Sequence, residues 1–115
     1  MTVRELMDLI GARSLNDSAP LDAEITCGYT CDLLSWVLAH GKQGMAWITV
    51  QTHMNVIAVA TLLDMACVIL PENIAIEQAT LDKATEEEIP VLGSGKTSYE
   101  LAGLLYAQGV QSPVK

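Results

Sequence analysis

The sequence predicts an α/β fold, a three-layer α/β/α domain with a central, mainly parallel sheet. Three observations lead there. From residue 24 to residue 108, strand-like and helix-like segments alternate, which is the rhythm of βαβ units with parallel strands. Two strand-like runs, Met45 to Gln51 and Ala66 to Leu70, are almost unbroken in apolar residues, as expected of strands covered on both faces. Half of the 115 residues are hydrophobic yet Phe is absent, so the core must be aliphatic. A chain of this length makes one domain, spanning residues 1–110 and leaving a loose tail over 111–115.

The elements follow in order. Thr2 with Glu5 forms a capping-box pattern, and Val3, Leu6, Met7 and Ile10 then share one helical face until Gly11. Ser14 to Asp22 holds Asn16, Asp17, Ser18 and Pro20 and predicts an exposed loop. Glu24 to Thr30 alternates weakly and predicts a strand. Asp32 is placed to cap a short helix through Leu33, Leu34, Trp36, Val37 and Leu38, stopped near Gly41 and Gly44. After the strand Met45 to Gln51, the segment Asn55 to Met65 is apolar nearly all round, which predicts a helix buried on more than one side. Pro71 ends the strand from Ala66. Glu77 to Glu88 is a polar helix with Ala79, Leu81 and Ala84 inward. Ile89 to Leu92 is a short strand, and Ser98 to Gln108 a last helix with Leu101, Leu104 and Leu105 inward.

Charge excludes some partners. The net charge is −8 and the six basic residues are scattered, so no cationic stripe exists for nucleic acid or an anionic membrane surface. Arg4, Glu5 and Asp8 break any signal-peptide core over residues 1–12, and Asp64 interrupts the apolar run Asn55 to Leu70, which is too short to span a bilayer. A cytoplasmic, reduced chain is expected, with Cys27, Cys31 and Cys67 as buried free thiols. Apolar surface beyond what a small domain can bury predicts a homodimer or larger assembly.

Candidate site residues gather where the strand Met45 to Gln51 gives way to a helix. Polar groups between a strand's carboxyl end and a helix's amino end are where open α/β sheets bind ligands. Gln51, Thr52, His53 and Asn55 stand there. A parallel sheet would bring Thr30 and Asp32 from the preceding loop, and Ser94, Lys96 and Thr97 from the last, to the same edge. Free helix N–H groups at that edge favour an anion, so the set fits a small anionic ligand or nucleotide, and a protein partner is the other expectation. The competing reading makes Thr52 or His53 a helix cap, with Gln51 and Asn55 satisfying loop backbone.

Three further constellations carry less. Gly93-Ser-Gly-Lys-Thr97 lies between a strand and a helix as a phosphate loop does, but the full motif needs glycine at position 90. That position is Pro90, which has no N–H to give to a phosphate. A capped helix start with Lys96 in solvent is the expectation, with weak anion binding at the helix amino end left open. Cys27 and Cys31 have a spacing zinc accepts, but His40 and His53 lie thirteen residues apart on different elements. Cys31 with His53 and Asp32 could make a nucleophile, base and orienting acid, yet no spacing forces them together. No catalytic residue, metal or cofactor is assigned.

The residues also carry a resemblance. The opening Thr2-Val-Arg-Glu-Leu6, the stretch Asp22-Ala-Glu-Ile-Thr-Cys-Gly28, and Asp32-Leu-Leu-Ser-Trp36 followed by Ala46-Trp-Ile-Thr-Val-Gln-Thr-His53 resemble the DRTGG domain family, related to the N-terminal domain of HPr kinase/phosphorylase. The resemblance runs over nearly the whole chain. It implies an HPr kinase N-terminal domain-like α/β/α fold and a regulatory or dimerisation role, since such domains accompany nucleotide-sensing modules, pyrophosphatases and phosphate acetyltransferases. Asp22, Thr26 and Gly28 match the name-giving motif, where they imply a role in a turn, whereas Ala23 replaces the usual Arg and Cys27 the usual Gly. The expectation is a non-catalytic regulatory or binding module acting as a dimer. The alternative is a serine kinase or phosphotransfer protein, the label such short relatives carry, although the larger enzyme's kinase chemistry lies in a separate phosphate-loop domain.

Overall fold

Thr2 opens the first helix as its sequence requires: its hydroxyl accepts from the Glu5 N–H while the Glu5 carboxylate accepts from the Thr2 N–H. In this computed structural model, which describes residues 1–113, helix α1 spans Val3–Ile10 and Gly11 ends it in the left-handed region at φ 67°. Val114 and Lys115, in the tail read as loose, lie outside the described residues. The remaining elements are β1 Arg13–Ser14, β2 Cys27–Thr30, α2 Leu34–His40, β3 Met45–Ile48, α3 Met54–Leu62, β4 Cys67–Leu70, α4 Gln78–Glu86, β5 Val91–Gly93 and α5 Ser98–Ala107.

The five strands form one sheet in the order β1-β5-β4-β3-β2. Strands β2 to β5 are mutually parallel and β1 lies antiparallel on β5. Because β2 to β5 follow chain order, α2, α3 and α4 cross over the same face and pack side by side, while α1 and α5 cover the other. The unbroken apolar runs follow from this sandwich. In β3, Trp47 enters the core under α2 and α3, and its neighbours Ala46 and Ile48 enter the core under α1 and α5. All of β3 and β4 is buried. Among the described residues no helix is long and apolar enough to cross a membrane.

Several local expectations need correction. The loop from Ser14 is not simply exposed. Ser14 belongs to β1, and Ala19 and Asn16 are buried. Asn16 donates to the Ile89 carbonyl and accepts from the Val91 N–H, both at 2.8 Å, doing for β5 what a neighbouring strand would do. Helix α4 buries Thr80, Leu81 and Ala84, leaving Ala79 exposed. Helix α3 buries Val56, Ile57 and Ala60 on one side only, and Leu62 is 71% exposed. Asp32 does not cap α2, whose N-cap is Leu33 with no side-chain bond. Strand β3 stops at Ile48 rather than Gln51, because Thr49 turns the chain by accepting from the Gln51 N–H.

Thr26 has a defined task. The Thr26 hydroxyl donates to the Gln43 carbonyl at 2.6 Å, and Gly44 passes at φ 77° so close that a Cβ there would lie 2.5 Å from the Thr26 methyl. The turn into β3 therefore needs a glycine at 44.

Candidate functional site

Strands β2 and β3 are neighbours and parallel, so their carboxyl ends deliver their loops side by side. Asp32 ties the two loops together. One carboxylate oxygen accepts from the Thr49 hydroxyl at 2.8 Å and from the Val50 N–H at 2.9 Å. The Gln51 amide donates to the Asp32 carbonyl at 3.0 Å, and the buried Trp47 indole donates to the Cys31 carbonyl at 2.8 Å. Thr30, at the end of β2, is exposed on the same edge.

His53 caps α3. Its Nδ1 accepts from the Asn55 N–H at 3.1 Å, which places the neutral ring's proton on Nε2 and leaves that N–H facing outward. Thr52 is half-buried and Asn55 exposed on the first turn of α3. Gln51, Thr52, His53 and Asn55 thus join Thr30 and Asp32 in one polar edge that presents a carboxylate acceptor and several N–H donors. Thr49 belongs with them and was hidden from sequence reasoning inside an apolar run.

Ser94, Lys96 and Thr97 form a separate group at the exit of β5. Strand β4 intervenes, which puts β3 and β5 roughly 10 Å apart. There the two loops are closed on each other: the Glu72 N–H donates to the Lys96 carbonyl and the Asn73 N–H to the Ser94 carbonyl, both at 2.9 Å. Arg13, brought opposite Gly93 by β1, donates to the Asn73 side chain at 3.3 Å. Ser94 is buried and its hydroxyl accepts from the Lys96 N–H.

Lys96 is not in solvent. Its ammonium donates to the Ile10 carbonyl at 3.2 Å, at the carboxyl end of α1 where the helix dipole favours a cation. Thr97 caps α5 as expected, in a second capping box with Glu100. The Glu100 carboxylate accepts from the Thr97 N–H and hydroxyl at 3.0 and 3.1 Å, so a negative charge of the chain itself already sits beside the amino end of α5.

These Thr97 bonds hold the Glu100 carboxyl below the ordinary glutamate value, and Thr2 does the same to Glu5. A carboxyl lowered in the folded state contributes stability above its unfolded pKa and loses it as pH falls through the folded value. The first turns of α1 and α5 are therefore expected to fray first on acidification. Amide hydrogen exchange, corrected for its intrinsic pH dependence, should show protection there falling below about pH 4, and unchanged protection down to global unfolding would contradict it.

In the other sequence constellations the side chains have separate partners, His53 in its own cap. Cys27 sits in the core, the Cys31 thiol donates to the Leu33 carbonyl, and His40 stacks on Trp36 with ring centroids 4.3 Å apart. Among the described residues no group of three or more His, Cys, Asp or Glu could hold a metal ion. Burial pushes the Cys67 thiol up to about 12, so it stays protonated and inert.

Asn55 also stands at the head of an apolar face. Two grooves flank α3, one of about 350 Å³ toward α4 and one of about 330 Å³ toward α2, and Asn55, Ala58 and Leu62 line both.

No protein-family model matches the sequence, and no curated protein matches it. Among solved structures, the chain is similar to the CBS and DRTGG domains of the regulatory region of Clostridium perfringens pyrophosphatase, crystallised with its activator diadenosine tetraphosphate. The TM-score is 0.69 at 13% identity, over 90% of this chain and 45% of that one. The chain thus spans less than half the length of that structure, and at this identity the likeness is one of fold: an α/β domain of a kind found in a CBS and DRTGG regulatory region.

Proposed function

We propose that this chain is a non-catalytic regulatory module of the DRTGG type, related to the N-terminal domain of HPr kinase/phosphorylase, which acts as a cytoplasmic homodimer. It binds a small anionic ligand, of which a nucleotide fits best, or a protein partner, at the carboxyl ends of the strands. The observation that carries this reading is the polar edge at the exits of β2 and β3. Asp32 has a carboxylate oxygen to accept from a sugar hydroxyl, while the His53 Nε2–H and the Asn55 amide can donate to phosphate oxygens. A bare anion would meet repulsion from Asp32, and a nucleotide brings both kinds of partner. The complex of the similar regulatory region with diadenosine tetraphosphate supports the same class. Ser94, Lys96 and Thr97 would form a second contact zone only for a ligand long enough to cross the exit of β4 and able to displace the Lys96 bond to the Ile10 carbonyl.

Against the kinase reading stand Pro90 upstream of the glycine-rich loop and the Glu100 carboxylate seated at the amino end of α5. A thermal-shift screen of nucleotides, followed by calorimetry, tests the proposal. A ligand at 100 times its Kd should add about 2.7 kcal/mol, and the double variant His53→Ala with Asn55→Ala should keep its circular dichroism and bind at least roughly tenfold more weakly. Unchanged affinity in the folded variant would move the site elsewhere. Binding of ATP with magnesium followed by phosphate transfer to a serine would put the kinase reading in its place.

A further inference from the structure

We infer that two copies of this chain pair through the face made by α2 and α3, with the two α3 helices crossing at Ala58. The inference rests on the homodimer reading above and adds the interface to it. Met54, Ala58 and Leu62 are spaced at four-residue intervals and form one exposed ridge along α3, with Met54 40% and Leu62 71% exposed. Such i, i+4 ridges interdigitate with those of a facing helix at a crossing of about −50°, with axes roughly 8–10 Å apart. The groove it needs lies beside it. The depression between α2 and α3 is lined by Leu34, Leu38, Ala58, Val59 and Leu62, with Ser35 and, at its head, the polar Asn55, and no charged side chain. A two-fold interface must be self-complementary, and a ridge next to its own groove meets that requirement: each copy's ridge fills the other's groove. Ala58 is the low point of the ridge, between Met54 and Leu62, so the backbones approach closest there.

Charge selects a second copy as the occupant. The chain carries −8, yet between Asp32 and Asp64 the only charged side chain is Lys42, in the turn after α2. The α3 to α4 groove on the other flank carries Lys83 and Glu87, already paired at 3.2 Å. A second copy, equally acidic, meets the least repulsion through the uncharged face, whereas a basic partner would be drawn to the acidic remainder of the surface.

The experiment uses the full chain. Light scattering from micromolar to millimolar concentration should give twice the chain mass, and Leu62→Glu, which sets like charges together across the two-fold, should raise the dimer Kd roughly a hundredfold with unchanged circular dichroism. In a Cys31→Ser background, Ala58→Cys should form an intermolecular disulfide under mild oxidant. Gly103→Cys, on the far face of α5 where a Cβ meets nothing within 4 Å, should not. A dimer that survives Leu62→Glu and fails to cross-link through Ala58→Cys uses another face, which overturns this inference and leaves the homodimer reading standing. A monomer throughout overturns both. If Leu62→Glu does not fold, the Ala58→Cys cross-link decides alone.

Discussion

Asn16→Ala is expected to remove roughly 2–6 kcal/mol of stability, as each of two buried backbone groups left without a partner costs about 1–3 kcal/mol. Asn16 is only 6% exposed, and it is the partner of both the Ile89 carbonyl and the Val91 N–H. A domain of this kind holds about 5–15 kcal/mol in all, so the substitution consumes a large share of it. Urea unfolding should show the midpoint falling with an unchanged slope. Asn16→Asp sharpens the test. It keeps an acceptor for the Val91 N–H but sets a second acceptor against the Ile89 carbonyl, so part of the loss should be recovered in mild acid, where the new carboxyl can donate. A wild-type midpoint in the alanine variant would mean that water serves these two groups equally well.

Trp47→Ala should cost roughly 3–5 kcal/mol, the range for removing a large aromatic from a packed core. The side chain is fully buried beneath α2 and α3, and its indole N–H holds the Cys31 carbonyl. The second role separates from the first in Trp47→Phe. That change keeps most of the volume and drops the hydrogen bond, at about 1–3 kcal/mol. Because Cys31 precedes Asp32, the phenylalanine variant should also loosen the polar edge. The expected result is faster amide exchange at Val50 and Gln51 in a chain that still unfolds cooperatively. If exchange there is unchanged, Asp32 alone holds the loops and the indole contributes only packing.

How much could be read from residues alone depended on how local the cause was. Thr2, Glu5 and Gly11 act within one helix, and their pattern located α1 at both ends. The apolar runs gave β3 and β4 because burial on both faces leaves a local mark. Asn16 left none, since a polar residue among polar residues looks exposed until β5, over seventy residues later, is brought against it. Lys96 is the same case, reaching a carbonyl in α1. Asp32 looked like a helix cap because the competing demand, the open backbone after β3, becomes visible only once β2 and β3 are known to be neighbours. The polar residues beside β2 and β3 were legible as a cluster. Their separation from Ser94, Lys96 and Thr97 was not, because strand order is a tertiary fact. The apolar surround of α3 pointed to burial on more than one side, whereas only Val56, Ile57 and Ala60 are buried and Leu62 stands 71% exposed, because periodicity cannot tell a core face from an exposed apolar one.

The strand order also bears on how the chain folds while it is being synthesised. From β2 onward each strand docks beside the one made just before it, so the growing sheet can close stepwise as the chain leaves the ribosome. The opening segment cannot join in that sequence. Val3, Leu6 and Ile10 share a core cluster with residues of β3, β4, β5 and α5, and β1 pairs with β5, so α1 emerges before most of its partners exist. Its apolar stripe is fully covered only when α5, nearly a hundred residues later, has been made. Of the five helices described, α1 is thus made before the other four and completes its packing only with α5.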